Sequence, residues 1–139
     1  MKNFKFLALL LAIFGMALLP SCNRSPGEKP RTDYENLIIG TWKNDRNDEH
    51  KRYSRRVVTP PIEELYDKEG ERWNPGEDIH PGDSGTIFYW YLRGNQIMEA
   101  HPRDPILGGY DNRIWTITEI TSSRLVYTFG ARTESFTKQ

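Results

Sequence analysis

The segment Thr86 to Arg93, TIFYWYLR, runs through Gly94-Asn95 into QIMEAH. Aromatic and β-branched residues at this density form strands, and a two-residue loop with glycine first suits a type II′ hairpin turn. That turn pairs Arg93 with Gln96, Leu92 with Ile97, Trp90 with Glu99 and Phe88 with His101. Directly opposed residues share a face. One face then carries Phe88, Trp90, Leu92, Ile97, Glu99 and His101, and the other Tyr89, Tyr91, Met98 and Ala100. The first face is the more apolar and is expected to point inward, taking Glu99 and His101 with it.

Similar runs surround the hairpin. Leu37 to Trp42 is a short β-branched and aromatic run. Arg52 to Thr59 is a second, ended by Pro60-Pro61. Glu63 to Tyr66 and Arg72-Trp73 flank a turn-like Asp67-Lys68-Glu69-Gly70. Glu77 to Ser84 reads as loop. Arg113 to Ile120, Arg124 to Phe129 and Arg132 to Thr137 follow, with turn residues between them. No window in this region carries a sustained helical apolar stripe. About eight short strands in series predict an all-β fold, an antiparallel up-and-down barrel or a sandwich.

The N-terminal sequence bears on location. Lys2 and Lys5 precede an uncharged, almost wholly apolar run from Phe6 to Leu19. It is shorter than the roughly 20 residues a membrane span requires, and it fits a signal peptide. It ends in Leu19-Pro20-Ser21-Cys22, and Cys22 is the chain's single cysteine. The tetrapeptide resembles the lipobox of bacterial lipoproteins. That resemblance implies a signal peptide over residues 1–21, acylation of Cys22, and a cell-envelope location on the outer membrane facing the periplasm. Residues 22–36, rich in proline and charge, read as a flexible tether, and residues 37–139 as one domain. Without its first 21 residues the 139-residue chain has 118, enough to bury a core. Loss of Lys2 and Lys5 leaves 17 basic against 19 acidic residues, so no basic field attracts nucleic acid.

Gly40-Thr41-Trp42 resembles the Gly-x-Trp entry strand of lipocalins. Trp115 to Tyr127, with its Ile-Thr-Glu-Ile strand, Thr/Ser turn and Leu-Val strand, is similar to bacterial lipocalin-like lipoproteins, as is the closing Phe136-Thr137-Lys138. The resemblance implies an eight-stranded lipocalin-like barrel in which Gly40 and Trp42 close one end. It also implies a basic residue over Trp42, with Arg132 the candidate and Arg124 the alternative. A Thr-Asp-Tyr motif near the late strands and a C-terminal helix are both missing.

Several motifs read more plainly as structure. Gly82-Asp83-Ser84-Gly85 resembles a protease nucleophile motif but leads straight into a strand and reads as a turn. His50, His80 and His101 share no metal-ligand spacing. Asn44 to Glu49 lacks the spacing of a calcium loop and reads as a solvated turn. Lys51 to Arg56 is a basic cluster expected on a solvated strand face or against anionic headgroups.

The aromatic load is compatible with an apolar pocket. The expected role is therefore non-catalytic binding of a small apolar or amphipathic ligand by a monomer, with no cofactor. Phe88, Trp90 and Leu92 would bury the ligand, and Glu99 or His101 would orient its polar end. The alternative is a protein-interaction module, an envelope accessory or inhibitor. Its barrel would be solid, and its contacts would lie on the loops Pro60 to Gly85 and His101 to Asn112.

Overall fold

A computed structural model describes residues 31–103 and 106–139. The signal segment, Cys22 and the tether as far as residue 30 lie outside the described residues. The chain forms a helix, α1 (Arg31–Ile38), and eight strands: β1 (Gly40–Asn44), β2 (His50–Ile62), β3 (Tyr66–Trp73), β4 (Ile87–Arg93), β5 (Gln96–Pro102), β6 (Tyr110–Ile120), β7 (Arg124–Phe129) and β8 (Arg132–Lys138). Each strand pairs antiparallel with the next, and β8 returns to β1 with Trp42 opposite Lys138. The result is a closed up-and-down barrel, so no strand edge is left along the closed wall.

The β4–β5 hairpin has the expected register, from Arg93 opposite Gln96 to Tyr89 opposite Ala100. Gly94 takes φ 59° and Asn95 does not have positive φ, as a type II′ turn requires. The alternation also falls as expected: Phe88, Trp90, Leu92, Ile97 and Glu99 are at most 2% exposed and His101 is 9% exposed.

Three expectations fail, each for a physical reason. The tether does not extend to Asn36, and Leu37-Ile38 is not strand: both lie in α1. The helix is too short to display a repeating stripe. Tyr34, Leu37 and Ile38 still fall at i, i+3 and i+4 and pack on the barrel core, and tertiary packing of this kind stabilises a segment too short to be helical alone. Second, Asp67 to Gly70 is strand, and the turn lies at residues 63–65, where Glu63 and Glu64 take left-handed φ of 49° and 62°. Lys68 and Gly70 oppose the inward Trp90 and Phe88, so an inward lysine disguises the strand pattern. Third, β2 continues through Pro60-Pro61. β1 begins at Gly40, opposite Tyr53, so the later half of β2 has no β1 strand demanding an N–H from those prolines.

Two apolar clusters account for the described aromatic residues except Trp73 and Phe129. The larger fills the barrel and includes Trp42, Tyr53, Phe88, Trp90, Trp115, Tyr127 and Phe136. The smaller lies on the outer wall, where Tyr66, Met98 and Ala100 pack with Ile62, Tyr89, Tyr91 and Tyr110. The tip of the β2–β3 hairpin reaches across this patch, and Asn112 Nδ2 donates to Glu63 Oε2 at 2.9 Å.

α1 closes one end. The Trp42 indole N–H donates to the Ile38 carbonyl at 2.7 Å, and Lys138 Nζ donates to the Leu37 carbonyl at 3.0 Å. Both satisfy carbonyls that the helix terminus leaves without partners, and the ammonium meets the negative end of the helix dipole. Lys138 Nζ also stands 4.9 Å from the Trp42 ring centroid. The cation over Trp42 is therefore Lys138, neither Arg132 nor Arg124. Arg132 lies 5.9 Å from the Trp115 ring instead, tied to Glu134. Gly40 sits beside this latch with φ 134°, and a β-carbon there would come within 2.6 Å of Lys138 Cε. The loops after β1, β3, β5 and β7 gather at the opposite end.

Gly70 lies where β3 passes beneath the Phe88 ring. A β-carbon there would meet Phe88 Cζ at 2.5 Å and the Arg52 carbonyl oxygen at 2.9 Å. Glycine-to-alanine replacement in a strand normally adds stability. Here Gly70→Ala is expected to lower it by about 1–3 kcal/mol through overpacking, read as a lower urea midpoint at unchanged slope.

Candidate functional site

Inside the barrel the five residues assigned to a pocket do come together, but in company the sequence reading did not include. Glu99, on β5, is fully buried. Its Oε1 accepts from the Tyr53 hydroxyl at 2.5 Å. Its Oε2 accepts from Trp115 Nε1 at 3.0 Å and from His101 Nε2 at 2.9 Å. Lys51 Nζ bridges both oxygens at 3.3 and 3.2 Å and also donates to the Tyr127 hydroxyl at 2.8 Å. A carboxylate has room for about four donors, and here four side chains supply them. Because the carboxylate can only accept, Nε2 is the protonated nitrogen of His101.

The aromatic residues hold this network in place. Tyr53 stands edge-on to Phe88 and Trp90, with centroids 5.5 and 5.3 Å away. His101 stacks on Phe88 at 5.1 Å. Trp90 Nε1 donates to the Glu69 carbonyl at 3.1 Å, and Lys68 Nζ lies 5.4 Å from its ring.

Lys51 overturns the expectation that the basic cluster Lys51 to Arg56 lies on a solvated face. Arg52, Arg55 and Arg56 are exposed, but Lys51 is 1% exposed and opposes Trp42 across the β1–β2 ladder. The signal was present in the alternation: Lys51 and Tyr53 are two apart, so they share a face that Arg52 does not. Charge composition hid it.

The electrostatics follow from this packing. Burial by itself would push the Glu99 carboxyl up. The Lys51 charge and the hydrogen bonds from His101 and Tyr53 outweigh it and hold the group well below the usual carboxylate range. His101 moves down: burial disfavours its cation, which the Glu99 hydrogen bond offsets only in part, and Lys51 and Arg113 repel it. Burial, then Glu99, raises the phenols of Tyr53 and Tyr127. At neutral pH the Glu99 carboxyl is thus ionised and the His101 imidazole neutral.

Outside the barrel, an open depression of about 400 Å³ borders the β1–β2 loop, lined by residues 43–48 and Thr137. Asn44 and Asn47 turn that loop by accepting from the Arg46 and Glu49 N–H groups. At the Asp83-Ser84 turn, Asp83 Oδ2 accepts from the His80 N–H at 2.8 Å. His50 stacks on Trp73 at 5.4 Å. Among the described residues no three His, Cys, Asp or Glu side chains gather as metal ligands.

Compared with family models, curated proteins and solved structures, the chain has no match.

Removing one partner of a buried ion pair leaves the other charge uncompensated. Glu99→Gln is expected to cost about 3–5 kcal/mol by chemical denaturation. The sign with pH is fixed by the shifts. The folded pKa of Glu99 lies below its unfolded value of about 4.3, so its contribution is complete above that pH and is lost as pH falls below it. The folded pKa of His101 also lies below its unfolded value of about 6.5, so stability declines as pH drops below 6.5. His101→Gln should flatten the upper part of this decline and Glu99→Gln the lower part, in urea midpoints measured from pH 8 to 3.

Proposed function

We infer that this chain is a lipid-anchored, lipocalin-like protein of the bacterial envelope that acts without catalysis, by binding a protein partner through the loop end of a side-chain-filled barrel. The lipobox-like Leu19-Pro20-Ser21-Cys22 supports the anchor. The eight-stranded closed topology and the latch at Trp42 support the lipocalin likeness.

The observation that carries the reading is the state of Glu99. The polar group best placed to orient a ligand is occupied by Lys51, Tyr53, His101 and Trp115. The space around it is taken by Phe88, Trp90, Ile97, Tyr127 and Phe136, each 0% exposed. A ligand entering here would have to displace satisfied hydrogen bonds and native packing. The loop end instead offers apolar surface. Ile106 is 91% exposed, Leu107 87%, Phe129 49% and Ile79 41%. Four of the seven large apolar side chains exposed among the described residues lie at this end, and exposed apolar patches are a common feature of partner-binding surfaces.

A small-ligand role keeps one favourable observation, the single inward face shared by Phe88, Trp90, Leu92, Glu99 and His101. Native mass spectrometry of the protein from its natural envelope separates the two. The polypeptide is expected at its bare lipidated mass, and a small molecule lost on denaturation overturns the filled-barrel reading. In-cell crosslinking is expected to give one dominant protein adduct that Ile106→Asp with Leu107→Asp weakens at least tenfold. An adduct unaffected by that pair overturns the loop-end assignment.

A further inference from the structure

The Lys51 ammonium is held in the way a receptor holds a cation. Its Nζ stands 5.1 Å from the Trp115 ring centroid, 5.3 Å from Tyr127 and 5.8 Å from Phe136. Glu99 supplies the counter-charge, and the Tyr127 hydroxyl accepts a further N–H. An aromatic box with one carboxylate is the chemistry by which proteins recognise organic ammonium ions. The walls come from β5, β6, β7 and β8. β2 contributes Tyr53 as a bond to Glu99, and otherwise only the lysine itself.

The geometry points to an ammonium-binding site at the centre of the barrel, for linear primary ammonium ions, whose resident occupant is the chain's own Lys51 side chain. This rests on the filled-barrel reading, since the site is closed to outside ligands because it is already occupied. Its specificity is set by the same groups that desolvate Lys51. The rings favour a cation over a neutral group, Glu99 excludes an anion, and the narrow channel left by the lysine stem admits an unbranched chain. His101 is the least buried member of the network, at 9% exposed.

Lys51→Ala removes three methylenes and the ammonium, which together are n-propylammonium. The test uses the full chain carrying Lys51→Ala, with thermal unfolding followed in n-propylammonium chloride. Matched series contain n-propanol, sodium propionate and sodium chloride. The variant is expected to unfold below the wild type and to regain about 5 °C as the amine saturates. The wild type and the Lys51→Ala, Glu99→Gln double variant are expected to gain nothing beyond the salt control.

An equal gain with n-propanol would reduce the site to an apolar hole and overturn the inference, as would an equal gain in the wild type. Should Lys51→Ala not fold alone, it is refolded from urea. Recovery with the amine and not with the alcohol supports the site, and failure with both overturns it. A ligand found in the wild-type barrel overturns the filled-barrel reading. An absent amine response in the variant overturns this inference alone.

Discussion

The buried ion pair between Lys51 and Glu99 is the constraint around which the rest of this barrel is arranged. Two charges removed from water are costly unless each finds close partners. In a barrel of eight strands those partners must come from the walls. Tyr53, Trp115, Tyr127 and His101 are therefore present for more than bulk: each large apolar side chain reaches the centre and ends there in a hydrogen-bonding atom. The aromatic content of the chain follows from this need as much as from core filling.

The same pair sets what the interior can do. A carboxylate surrounded by four donors is neither a ready proton acceptor nor an open docking point. The exposed apolar side chains lie elsewhere, on the surface, with Ile79, Ile106, Leu107 and Phe129 at the loop end. The outer wall is itself partly covered by the long β2–β3 hairpin, which leaves the Ile106 and Leu107 loop as the more prominent apolar feature.

Much of this was legible in the chain. The β4–β5 register followed from two residues, Gly94 and Asn95, because turn geometry fixes strand pairing. The inward face, with Glu99 and His101 on it, came with that register. What escaped was non-local. Lys51 belongs to a run of basic residues, and nothing within that run distinguishes the inward one. Only the partner Glu99, 48 positions away, makes its burial tolerable. Helix α1 escaped because eight residues cannot display a repeating stripe, and its stability comes from Trp42 and Lys138. The cation over Trp42 was assigned to Arg132 because the last strand was known without its register against β1. That register puts Lys138 opposite Trp42 and sends Arg132 to Trp115.

The latch at the helix end has a consequence for how the chain reaches this state. Lys138 bonds a carbonyl 101 positions earlier, at Leu37, and β8 must pair with β1 before that bond exists. Barrel closure and helix docking therefore depend on contacts of very long sequence separation, whose loop entropy is met before any reward. Until the eighth strand arrives, β1 is an open edge and α1 has no cation at its terminus. Local hairpins such as β4–β5 can form early, but the closed barrel and its helix latch complete each other only once β8 has paired with β1. The two ends of the domain are thus joined by one ammonium, and removing the last strand would undo the first turn of structure as well as the wall.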